Sequence, residues 1–151
     1  MNIYIASDHA GYEMKEMLKV FLQKRGYEVT DIGPMSYNPQ DDYPNTIGPL
    51  AKAVSNHASS GEGYVMGIIL GYSGQGEAIV ANRMKGVRAG VYAGGSRESI
   101  QLMREHNDAN VLSLGAHFLS HDDAQQAVLL FLDTPFSGEE RHVRRIAELD
   151  V

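Results

Sequence analysis

Apolar, β-rich runs alternate along the chain with segments whose apolar residues recur every three or four positions. The runs cover residues 3–6, 27–32, 64–70, 87–93 and 110–115. Parallel neighbours need a crossover between them, commonly helical, so this alternation predicts five parallel strands with helices on both faces of the sheet. The first helical segment places Met14, Met17, Leu18, Phe21 and Leu22 on one stripe, with Lys15, Glu16, Lys19 and Lys24 expected to turn outward and Gly26 to stop it. A second stripe, Ile47, Leu50, Ala51, Val54 and Ala58, follows the loop YNPQDDYPN at 37–45, whose prolines and carboxylates mark a surface connection. Further helices are expected near Gly74, Ser96 and Asp122, the last with Ala124, Ala127, Val128 and Phe131 facing inward. Residues 139–149 also look helical, but their apolar stripe is thin: Val143, Ile146 and Leu149. A helix with so little to bury is marginal alone, so this C-terminal arm, about 137–151, is expected to pack on a second subunit. The pattern as a whole predicts an α/β chain in three layers, α/β/α.

At 151 residues the chain is the size of one domain with a proper core, here 1–151. The absence of cysteine excludes disulfides, thiolate metal sites and a thiol nucleophile. A formal charge of −6 disfavours nucleic acid and anionic membranes as partners. With no basic leader before the first strand and no apolar run near the roughly 20 residues that span a bilayer, a cytoplasmic protein is expected.

In an open α/β sheet ligands gather outside the carboxyl ends of the strands, where the winding reverses. Two loops there concentrate the polar chemistry. The third strand runs into GYSGQGEA at 71–78, where Gly71, Gly74 and Gly76 leave the backbone uncovered and a helix opens, so N–H groups and the positive helix end face an anion. It is no Walker loop, because no Gly-Lys-Ser/Thr follows. Ile79 spoils GxGxxG and Gln75 spoils GxSxG, which leaves a non-nucleotide anion site. Ser73 and Glu77 add a hydroxyl and a carboxylate to the same turn. A carboxylate is a base at neutral pH without further activation, and beside oxyanion donors it can remove a proton next to a carbonyl while the N–H groups hold the enediolate. Glu77 also fits as plain first-turn charge on its helix.

The first strand ends in Ser7-Asp8-His9-Ala10-Gly11. Asp8 can simply cap the helix that follows, yet an adjacent Asp and His beside a glycine loop favour a site. His106 falls where a helix end would stabilise a cation. Arg141 and Arg145 project from one helical face and form a fork suited to phosphate, or else a solvated face. His121-Asp122-Asp123 lacks further ligands at helical spacing, so no metal site is expected.

SDHAG at 7–11, DDYP at 41–44, GxSGxGEAIVANRxxGVRA at 71–89, REHND at 104–108 and RHVRRI at 141–146 together resemble ribose-5-phosphate isomerase B and its relatives, among them galactose-6-phosphate isomerase subunits. The resemblance implies a Rossmann-like homodimer with two shared active sites and no metal or organic cofactor, interconverting aldose and ketose phosphates through an enediolate. By position it implies that Asp8 and a partner's His106 open the sugar ring. His9, with a partner's Arg141 and Arg145, would hold the phosphate, and Tyr43 the sugar. Ser73 would relay protons between the enediol oxygens, while the amides around Gly74 and Gly76, with Asn107, would form the oxyanion hole. Many relatives carry a cysteine base where Gly71 stands, and a subset carries a glutamate at the position of Glu77 instead, which this chain resembles. Tyr72 stands in place of a usual glycine and His117 in place of an arginine that often helps with phosphate, so both bear on the sugar pocket. Ribose 5-phosphate is the expected substrate. The same chemistry on a tetrose or hexose phosphate and a non-enzymatic phosphate-sensing module are the alternatives.

Overall fold

The computed structural model describes residues 1–150. They form five strands, β1 (Asn2–Ser7), β2 (Glu28–Gly33), β3 (Val65–Gly71), β4 (Ala89–Tyr92) and β5 (Val111–Gly115). Six α-helices accompany them: α1 (Tyr12–Lys24), α2 (Tyr43–Ser60), α3 (Gln75–Ala81), α4 (Glu98–Glu105), α5 (His121–Asp133) and α6 (Glu140–Ala147). All pairings are parallel, in the order β2-β1-β3-β5-β4. All seven residues of the central β3 are buried, as a continuous apolar run covered on both faces must be. One face packs Ile3, Ile5, Ile68 and Leu112 against Leu18, Leu22, Ile100 and Phe131 of α1, α4 and α5. The other packs Ala6, Ile69 and Val111 against Ile47, Leu50, Val54 and Ala81 of α2 and α3. The three predicted layers are therefore present. Among the described residues no helix is long and apolar enough to cross a membrane.

The winding reverses between β1 and β3, which places a crevice at their carboxyl ends. A short 3-10 turn, His9–Gly11, follows β1 and lies hard against β3. The Asp8 N–H donates to the Leu70 carbonyl at 3.1 Å, and a Cβ added at Gly11 would sit 2.6 Å from that of Leu70. The start of the first βα loop is thus pressed onto the strand that carries the glycine turn.

Two sequence expectations need correction. Ala58 is exposed rather than inward, because 18-residue α2, about 27 Å long, outlasts the seven residues of β3 beneath it, about 23 Å. Lys15 is fully buried rather than turned outward. Its Nζ donates to both oxygens of Asp31 at 2.9 and 2.8 Å and to the Pro34 carbonyl at 2.7 Å, and Lys19 reaches the same carboxylate at 2.7 Å. A buried ammonium is tolerated only when its three hydrogens are paired, and here they are. Burial alone would raise the Asp31 pKa, but Lys15, Lys19 and the Gly33 amide outweigh it and hold the carboxyl below its ordinary value.

Lys15→Met should therefore lower unfolding free energy by about 3 kcal/mol in urea titrations at neutral pH, because Asp31 loses its buried counter-charge. A depressed native pKa contributes stability above the unfolded aspartate value and loses it as pH falls through the native one. The gap between wild type and variant should accordingly narrow in acid.

Candidate active site

β3 turns into α3 through Gly71 to Gly74, and Gly74 holds φ +78, a left-handed conformation that suits glycine. The Ser113 hydroxyl donates to the Gly74 carbonyl at 2.6 Å and ties the loop to β5. Glu77, in the first turn of α3, points back over the strand end, where a Cβ added at Gly71 would overlap its carboxyl group. Only 4% of Glu77 is exposed. Burial is the largest influence on its proton affinity and, with the adjoining Asp8 carboxyl, raises its pKa against the opposing N–H groups of Glu77 itself and Gly74. The Gly74 amide, expected to serve an oxyanion, thus also favours the charged form of the Glu77 carboxyl.

Around this pair the other residues close in. Asp8 accepts the Gly11 N–H at 3.1 Å, so it fills the capping role and borders Glu77 from the same position. Ser73 Oγ accepts the Gln75 N–H at 3.3 Å. The Tyr43 ring covers Gly76, where an added Cβ would come within 2.9 Å of it. Tyr72 and His117 stack at 4.2 Å, with Phe118 edge-on to both. His9 Nδ1 lies 2.6 Å from Asp41 Oδ1, and this hydrogen bond, helped by the charge of Asp8, outweighs desolvation and raises the His9 pKa.

Four of the expected residues lie elsewhere. α4 runs back from β4, so His106 at its end and Asn107 after it stand near the amino end of β5, about 15 Å of strand away from the glycine turn. His106 stacks on His142 of α6 at 4.4 Å, and both border a 210 Å³ hollow with Asn107, Arg145 and Ile146. Arg141, on the same helix, pairs with Glu139 at 2.9 Å. Within one chain, Asp8, His9, Tyr43, Ser73 and Glu77 therefore form one cluster, and His106, Asn107, Arg141 and Arg145 belong to another region. Val143 and Leu149 of the arm stay 50% and 60% exposed.

The family model described as ribose/galactose isomerase matches residues 3–149. The chain belongs to the ribose/galactose isomerase family. A ribose-5-phosphate isomerase B from Mycolicibacterium paratuberculosis is 38% identical over 147 residues, 97% of this chain and 87% of the relative. The crystal structure of ribose-5-phosphate isomerase B from Mycoplasma genitalium with bound ribulose-5-phosphate is 34% identical, with a TM-score of 0.85 over 98% of this chain and 93% of that one. The enzyme of the same kind from Thermotoga maritima is 40% identical, with a TM-score of 0.85 over 99% and 97%.

Within this isomerase family fold, two residues in direct contact with the expected ones had no role in the sequence reading. Asp41 holds His9 across 32 positions of sequence, and His142 stacks on His106 across 36. Local spacing carries no signal for either, although each lies inside a motif, DDYP or RHVRRI. Among the described residues no cluster of three or more histidines or carboxylates is placed to hold a metal ion.

The overlap at position 71 has a measurable consequence. Gly71→Ala should force the Glu77 carboxyl from its seat and destabilise the fold by about 1–3 kcal/mol, as overpacking does. Chemical denaturation measures the second effect and a crystal structure of the variant the first.

Proposed function

We propose that this protein is an aldose–ketose isomerase that interconverts ribose 5-phosphate and ribulose 5-phosphate through an enediolate, with Glu77 as the base. The observation that carries the reading is the buried Glu77 carboxyl, seated over Gly71 beside Asp8 and backbone amides, in a chain whose relatives are ribose-5-phosphate isomerases. With the sugar ring open, Glu77 takes the proton from C2 of the aldose. The C–H electrons form the C1=C2 bond and the carbonyl electrons collect on O1. Ser73 passes a proton between O2 and O1, and Glu77 returns its proton to C1 as the C2 carbonyl forms. Once protonated, Glu77 no longer competes as an anion for the neighbouring Gly74 N–H, which can then serve the developing oxyanion. A base with a raised pKa is also better matched to proton transfer near neutral pH.

The reading extends to a homodimer in which each site takes Asp8, His9, Tyr43, Ser73 and Glu77 from one copy and His106, Asn107, Arg141 and Arg145 from the other. What supports it is the distance between the two groups in one chain, together with the exposed Val143 and Leu149. The Tyr72–His117 stack supports a second reading in which the pocket suits a four- or six-carbon phosphate.

Glu77→Gln should lower kcat about a thousandfold with KM little changed. The acid limb of the wild-type rate, which falls as pH drops through the raised Glu77 value, should vanish from the residue of activity. Near-normal turnover would remove Glu77 from the role. Ranking kcat/KM over four-, five- and six-carbon sugar phosphates decides the substrate, and a last place for ribose 5-phosphate would favour the second reading.

Arg141→Ala combined with Arg145→Ala should raise KM at least tenfold while Tm holds. Refolding equal amounts of this variant and Glu77→Gln should restore roughly a quarter of wild-type activity if sites are shared across a dimer, since half the dimers are mixed and each mixed dimer has one intact site. No recovery would mean that each chain works alone.

A further inference from the structure

We infer that Asp41 is the positioning residue for the phosphate grip, its buried carboxylate fixing both the main chain and the ring of His9 so that a cationic imidazole edge meets the substrate's phosphate. The inference rests on the sugar-phosphate reading of this site and assigns a role to a residue that reading leaves unused. One oxygen, Oδ1, accepts the His9 backbone N–H at 3.1 Å and faces its Nδ1 at 2.6 Å. Two contacts from one atom set the loop and the ring together, and a carboxylate at Nδ1 fixes the tautomer and leaves Nε2 for a ligand. The Asp41 side chain is 9% exposed and that of His9 37%, so the carboxylate sits behind the ring and the ring faces the opening.

The surroundings make the charge on His9 decisive. The ring borders a 620 Å³ hollow lined also by Tyr12, Glu13, Glu16 and Tyr37, and Asp8 adjoins it. Among the described residues lining that hollow, His9 is the sole group able to carry positive charge, so with a neutral imidazole this chain's own lining would set Glu13 and Glu16 against a phosphate dianion with no cation to offset them. The raised His9 pKa agrees with the geometry. Nor is Asp41 explained as a structural cap. Asp42 is the residue before α2, and Asp41 Oδ2 is buried without a hydrogen-bond partner, a cost to stability that a purely structural carboxylate would not carry.

Calorimetric titration of the intact protein with sulfate, a dianion throughout the neutral range, tests this without turnover. Wild-type affinity should fall as pH rises through the raised His9 value. In Asp41→Asn, which keeps an acceptor and loses the charge, that fall should begin at lower pH, giving about tenfold weaker binding near neutrality per unit of pKa lost. KM should rise in parallel with kcat held, and Tm should not drop. In a His9→Lys background, where the cation no longer depends on a partner, Asp41→Asn should leave the sulfate profile unmoved. Superimposable profiles for wild type and Asp41→Asn, or a lowered Tm with unchanged sulfate affinity, would overturn the assignment. Wild-type protein that does not bind sulfate at all would overturn it together with the phosphate role of His9. Sulfate binding with the predicted shift but no isomerase activity would sustain the grip and remove the reaction instead.

Discussion

Two carboxyl groups, Asp8 and Glu77, are buried side by side above the end of the central strand, and the rest of the molecule is arranged around keeping them there. Like charges in a low dielectric repel, so such a pair persists only where it shares a proton or is hydrogen-bonded from the surrounding backbone. Here the surrounding backbone contributes, and burial together with the Asp8 charge raises the Glu77 pKa. Asp8 accepts the Gly11 N–H within its own loop, that loop is held to β3 through the Asp8 N–H, and the Gly74 backbone at the start of α3 favours the charged form of Glu77. The hydrophobic layers supply the rigidity: β3 is apolar and buried throughout, and its end does not move without disturbing both cores.

The expected site residues, acidic and basic, divide between the two ends of the sheet. The carboxyl end gathers Asp8, Asp41 and Glu77 with His9, while His106, His142, Arg141 and Arg145 lie about α4 and α6. A phosphorylated substrate needs both kinds of group within a few ångströms. A parallel sheet cannot fold one end onto the other, and the proposed dimer, in which a second copy supplies the basic group, is one arrangement that meets this need.

Much of this was legible in the sequence because the decisive partners are close along it. Gly71 and Glu77 are six positions apart, and the strand, turn and helix between them follow from an apolar run, three glycines and a first-turn acid. Alternating strands and helices likewise gave a parallel sheet. They could not give the order β2-β1-β3-β5-β4, since which strand lies outermost depends on pairing between distant segments. Lys15 misled for the same reason: periodicity treats a lysine as surface, and the Asp31 that makes its burial tolerable sits on a neighbouring strand. Asp41 lies inside the DDYP motif, but nothing local assigns it a task, because His9 lies 32 residues before it.

The seat that Glu77 occupies over Gly71 also bears on how such a site changes over evolutionary time. A side chain at 71 and a carboxyl from 77 claim the same volume, so a lineage cannot hold both at once. With Glu77 as the proposed base, moving that role to a side chain at 71 would require paired replacements, since either one alone gives a protein that is overcrowded or has no base. Relatives should therefore fall into two discrete groups at these positions with few intermediates.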